Sequence, residues 1–183
     1  MLPAVTVTAA LPDVAATAVA ALAHEQWRVA GWGDAALARN AWDARLLPEQ
    51  RRRLVRLGHF PEYASELDWT PREVAGHLRD SALVFTDRLR RIRAERDPAL
   101  ADFVPDAPER LDDYRTTAPD RLIAELREAQ AGLLREIADV READLDRAGI
   151  HAVDGRVTVA GLLAFLPGHQ RDHADQLAAL LQG

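Results

Sequence analysis

GLLAFLPGHQRDHADQLAALL, residues 161–181, carries a helical repeat with two histidines set inside it. Leu162, Leu166, His169, His173, Leu177 and Leu180 follow one another at spacings of three and four. At 3.6 residues per turn these positions share one side of a helix. Gln170, Arg171 and Asp175 fall on other faces. Both histidines therefore belong to the side predicted to turn inward. Thr158 is the predicted N-cap, and the helix is expected to reach about Leu181. Pro167 lies within it and predicts a kink just before His169, because proline removes one backbone bond and crowds the carbonyl four residues back.

Four ring nitrogens on an inward face need partners, since each buried, unpaired polar group costs about 1–3 kcal/mol. Core histidines bonded to carboxylates would satisfy them. So would a metal, because a spacing of four lets two imidazoles converge on one ion at 2.0–2.1 Å. Two ligands rarely make a tight site, so a third should come from another helix. DWTPREVAGHL, residues 68–78, offers it. Thr70 is a predicted N-cap, Pro71 takes the first helical position and Glu73 completes a capping box. That helix is expected to run to about Ala94, with Val74, Leu78, Ser81 and Phe85 on one face. His77 lies beside this face and is the natural third ligand. Three neutral imidazoles suit zinc, nickel, iron or copper better than magnesium or calcium. They leave coordination positions open, as catalytic sites do. Both explanations, carboxylate partners and metal, stand at this point.

Elsewhere the chain reads as helices with proline-marked links. Residues 13–30 have helical composition, and Gly31 and Gly33 are predicted to break it. A second helical piece is expected over 34–47, and Pro48 opens a third that Gly58 can close. Residues 96–118 contain Pro98, Pro105 and Pro108 and read as a long irregular connector, either a crossover or a functional loop. A helix then starts between Thr117 and Asp120, with Leu122, Leu126, Leu133, Ile137 and Val140 as its buried stripe. HAVDGRV, residues 151–157, is a loop or a short hairpin around Asp154-Gly155. The whole, residues 1–183, is expected to be a single all-α domain.

Composition removes several function classes. All 23 basic residues are arginine, the net charge is −6, and the signs are mixed along the chain. Nucleic-acid binding needs a clustered basic face. Arg51-Arg52-Arg53 with Arg56 is short and sits beside Glu49, as a solvated helix face would. The absence of cysteine excludes disulfides, thiolate nucleophiles from the chain and cysteine-bound zinc. No apolar run is long enough to span a bilayer. The N-terminal stretch lacks a basic region and is interrupted by Pro12 and Asp13, so a cytoplasmic protein is expected. His24-Glu25 lacks the second histidine of a zinc-protease motif, and no Glu-x-x-His occurs. Ser81 reads as a small helix-contact residue. His151 would lie about 27 Å from His169 were the intervening segment helical, so it is expected to be an exposed loop histidine.

WTPREVAGHLRDS at 69–81 and RVTVAGLLAFLPGHQRDHADQL at 156–177 resemble the DinB-like superfamily of metal-binding helical bundles. FTDRLRRI at 85–92 and the acidic, proline-containing connector are also similar, so the resemblance covers residues 60–183. It implies a four-helix bundle with a long link between the second and third helices. It also implies a divalent metal, zinc or nickel above all, on one histidine of the second helix and two of the fourth. The matching positions are His77, His169 and His173. Members with an activity are mostly transferases or isomerases that use a low-molecular-weight thiol, and others are described as metal-dependent hydrolases. The resemblance thus implies an enzyme that activates a thiol or a water against a small-molecule substrate. The competing expectation is a non-catalytic bundle acting through a homodimer or a protein partner. Gln176, Asp80 and Asp172 are candidates to orient the imidazoles, with plain surface hydration as the alternative for each. Residues 1–33 match nothing in the family and are expected to add a helix outside the bundle.

Overall fold

The structure is a computed structural model and describes residues 11–182. Its last helix, α6 (Val159–Leu181), stays helical across Pro167 and begins where Thr158 Oγ1 accepts a bond of 3.0 Å from the Gly161 amide. Helix α3 (Pro71–Ala94) starts at the expected capping box. The Thr70 amide donates to Glu73 Oε2 at 2.9 Å, and the Glu73 amide donates back to Thr70 Oγ1 at 3.3 Å. Arg115 adds a bond of 2.7 Å to Glu73 Oε1, so this buried carboxylate is fully engaged. Its pKa is lowered: burial works against the charge, and the Thr70 and Arg115 hydrogen bonds outweigh it.

The N-terminal third departs from expectation. Helix α1 (Asp13–Arg39) runs unbroken through Gly31 and Gly33. Gly33 is a close-contact position and not a stop: a Cβ there would lie 2.5 Å from Ile123 Cδ1. The helix ends at Asn40, whose φ of 51° is left-handed, a conformation asparagine tolerates. The helical piece expected over 34–47 is therefore the end of α1 followed by a non-helical link. Helix α2 (Pro48–Arg56) follows, with Gly58 at φ 78° just beyond it, as expected.

The connector after α3 is more ordered than its prolines suggest. It contains strand β1 (Ala99–Leu100) and helix α4 (Pro108–Thr116). Pro108 opens α4 at a first-turn position, where its fixed φ favours a helix. Helix α5 (Pro119–Ala138) carries Leu122, Leu126, Leu133 and Ile137 of the expected stripe, and ends before Val140, which is buried just beyond it. The hairpin around Asp154-Gly155 is present as β2 (Ala148–His151) and β3 (Gly155–Thr158), and β1 pairs with β2 in parallel. The helical class thus stands, with one small sheet added to it.

Two apolar clusters reveal the helix directions. One joins Leu22, Leu89, Leu133 and Leu162. The other joins Val29, Val74, Leu122 and Leu177. The first half of α1 and of α6 thus meets the second half of α3 and of α5. Helices α1 and α6 run one way, and α3 and α5 run the other. The closely packed pairs α3–α5 and α1–α6 are therefore parallel. A helix of 24 residues is about 36 Å long. Its parallel neighbour can begin only after the chain has travelled back along it, and the connector makes that return. This is the long link between the second and third bundle helices.

Helix α1 is a wall of the bundle and not a helix outside it. Its buried positions Ala15, Ala18, Leu22, Gln26, Val29, Gly33 and Ala36 are spaced three and four apart along one face. Most are small, so hydrophobicity barely marks the face. The extra helices beyond the four long ones are α2 and α4. Helix α4 is locked to α3 by shape, because the Tyr114 ring fills the notch at Gly76, where a Cβ would lie 2.2 Å from it.

Candidate metal centre

His77 sits in the second turn of α3, so the capping box that fixes the start of the helix also fixes its height. His169 and His173 lie one turn apart on α6, which runs antiparallel to α3. The three rings meet. Their centroids are 5.2 Å apart for His77 and His169, 4.7 Å for His77 and His173, and 4.9 Å for His169 and His173. His77 Nε2 lies 3.0 Å from His169 Nε2. One nitrogen from each ring lies within 4.8 Å of the other two. Ligand bonds of 2.0–2.1 Å in a tetrahedral site put nitrogens roughly 3.4 Å apart, so small side-chain movements would centre the three on one ion.

One of the three rings, His173, is held in a tautomer that suits a ligand. Gln176 Oε1 can only accept, and it lies 2.8 Å from His173 Nδ1. The proton is therefore on Nδ1, and the Nε2 lone pair is free. Gln176 Nε2 donates in turn to the Glu66 carbonyl, which fixes the amide. Of the three candidate orienting residues, Gln176 alone bonds to one of the three converging rings. Asp172 instead meets His59 Nδ1 at 2.8 Å, and Asp80 accepts from Arg79, Arg110 and Tyr114. Ser81, read from sequence only as a contact residue, places its Oγ 3.3 Å from His77 Nε2. His77 Nδ1 is buried without a partner. Among the described residues, the histidine–carboxylate pairs belong to His59 and His151, so carboxylates do not account for the inward trio. Burial pushes His169 down to about 3 and His173 to about 4. Burial also lowers His77, helped by the positive charge its neighbours would carry. All three are neutral at physiological pH, the state in which imidazole binds a metal.

The DinB superfamily model matches residues 8–177. The chain belongs to the DinB superfamily. This DinB match includes the whole of α1, the N-terminal helix that the sequence motifs left out. A solved structure, YfiT from Bacillus subtilis, is similar at 18% identity and a TM-score of 0.64, covering 96% of this chain and 88% of that one. YfiT is described as a probable metal-dependent hydrolase with an unusual four-helix bundle topology. At this identity the likeness speaks for the fold. No curated protein matches the chain by sequence. No described helix of this DinB bundle is long and apolar enough to cross a membrane.

Only 5% of the chain is aromatic, yet all four phenylalanines and Trp69 surround the DinB histidines. Trp69 lies parallel to His173 at 6.0 Å and 5.0 Å from His77. Phe60 is 5.4 Å from His173, and Phe103 is 5.7 Å from His77. Phe165 stacks on His169 at 5.3 Å, with Phe85 at 6.3 Å. These rings keep water from most of the cluster and lower the local dielectric. Phe60 and Phe103 come from links between helices, and their isolated positions in sequence carry no signal of this role. His169 is partly exposed and Phe165 is 51% exposed, so the cluster opens on this side.

His151 is not the exposed loop histidine expected from sequence. It is buried, and its Nε2 lies 3.0 Å from Arg88 Nη2. The pairing of β1 with β2 draws it against the bundle. As expected, it is not one of the converging histidines.

Proposed function

We propose that His77, His169 and His173 hold a divalent transition metal, zinc or nickel, in a DinB-type enzyme. The observation that carries this is the convergence of three neutral imidazoles from two helices, with one side open. A metal there would lower the pKa of a bound water or thiol enough to supply a nucleophile at neutral pH. The reaction is hydrolysis or thiol-dependent transfer on a small-molecule substrate. Because the chain has no cysteine, any thiol is a dissociable low-molecular-weight cofactor. Gln176 holds the His173 ring and its proton. Ser81 offers a hydroxyl beside His77, and the phenylalanines exclude bulk water from the reacting atoms.

Elemental analysis of tag-free protein tests the proposal. Near-stoichiometric zinc or nickel is expected, lost in His77→Ala and His169→Ala. Metal content that is unchanged in both variants would overturn the site. Stoichiometric metal without any water- or thiol-dependent turnover would favour the non-catalytic bundle, acting as a homodimer or with a protein partner.

A further inference from the structure

A cavity of about 380 Å³ lies between the hairpin and the open side of the histidine cluster. Its walls include Phe85, Leu100, Leu162 and Phe165, with Arg88 and Arg156 as its cations and Asp154, at the hairpin end, as its one carboxylate. Phe85 and Phe165 are also the rings that pack on His169. The cavity continues two facing stripes. Phe85 and Arg88 extend the line of His77 and Ser81 along α3. Gly161, Leu162 and Phe165 precede His169 and His173 on α6. Because these helices are antiparallel, the two stripes face each other, and the Phe85 and Phe165 rings form the wall between the cavity and His169.

Arg88 differs from the other arginine in the cavity. Arg156 has a carboxylate, Asp97, at 3.6 Å. Among the described residues, Arg88 has none within 4.0 Å. Its Nη2 is anchored to the Ala101 carbonyl at 2.7 Å and to His151 Nε2 at 3.0 Å. Its Nε and Nη1 make no hydrogen bond to any described residue and are not enclosed. The guanidinium leans over the Phe85 ring, 5.4 Å from its centroid, which is the direction of His169. Burial works against its charge, offset only by the more distant fields of Asp102 and Asp154. Asp154 is occupied with His151 Nδ1 at 3.1 Å. A half-buried guanidinium, held by one nitrogen and with its other donors unused, is a receptor for an anion. The apolar walls suit a hydrophobic body.

We infer that this cavity binds the carboxylate end of the substrate, an organic acid with an apolar body, through Arg88, and points its other end at the three histidines. The inference rests on the proposed function for the identity of that reacting end. It makes Arg88 a specificity-determining residue and His151 its positioning residue.

The test is calorimetric titration of the full-length protein with 4-phenylbutyrate and with the uncharged 4-phenylbutyramide, before and after metal removal by a chelator. Saturable phenylbutyrate binding is expected in both forms. It should weaken about tenfold or more in Arg88→Met and for the amide, as loss of a charge-assisted bond does. Arg88→Lys should restore part of it. Unchanged melting temperature and metal content in Arg88→Met would show that the fold is intact. Equal affinity in Arg88→Met and wild type, equal affinity for acid and amide, or no saturable binding would overturn the inference. Phenylbutyrate binding in a protein that takes up no metal would uphold the cavity and remove the proposed function instead.

Discussion

Gln176 grips the Nδ1 proton of His173 from 2.8 Å and is itself held by the Glu66 carbonyl, so one buried amide ties a candidate ligand to the chain segment before α3. Replacing Gln176 with Leu keeps all three imidazoles and removes this control. Under the proposed function, metal affinity should fall by about 10–100-fold, the usual effect of losing an orienting partner. Chelator competition on the purified variant measures it. Unaltered affinity would mean that the amide serves packing alone.

Metal-free protein should lose stability on acidification. The histidines have an ordinary pKa of 6.5, whereas folding holds His169 at about 3 and His173 at about 4. Between these values the unfolded chain binds protons that the folded chain refuses. Unfolding free energy therefore rises with pH in this window, and stability is lost as pH falls from 6.5 toward 4. Urea melts in chelator at about pH 5 and about pH 7 should show the difference. It should shrink in the double variant His169→Leu/His173→Leu. A slope of opposite sign would mean that the rings are charged in the fold.

The notch at Gly76 predicts a coupled pair. Gly76→Ala drives a Cβ to within 2.2 Å of the Tyr114 ring, and overpacking of this kind costs about 1–3 kcal/mol. In a Tyr114→Leu background the same change should cost distinctly less, a non-additivity that denaturant melts of the four proteins can read. Strict additivity would place the two residues out of contact in solution.

Glu73 serves both the cap of α3 and the tie to Arg115 on α4. Glu73→Ala should cost about 1–3 kcal/mol, from the lost cap and the lost charge-assisted bonds. Glu73→Gln, which keeps an acceptor for the Thr70 amide, should cost less. Thermal melts of the two variants distinguish them.

The parts of the fold legible in sequence were those with local chemistry. Thr70 and Pro71 announce the start of α3, and the spacing of His169 and His173 among leucines places both on an inward face. Helix α1 was harder to place because its buried side is made largely of alanine and glycine, whose small size is itself the packing device. Pro108 reads equally as a loop and as a first helical turn, and the packing of Tyr114 on Gly76, with the bonds from Arg115 to Glu73 and Arg110 to Asp80, decides for the helix. The phenylalanine enclosure was not legible, since Phe60 and Phe103 reach the site by tertiary folding. His151 was misplaced because its burial depends on strand pairing between segments 51 residues apart.

His77 and His169 are separated by 92 residues of chain and by 3.0 Å of space. An ion shared between them would act as a removable staple across α3 and α6. It would close a long loop and bind only the folded state, so its contribution would scale with the logarithm of free ion concentration. How long the protein survives in a cell would then follow the local supply of that ion, quite apart from any turnover.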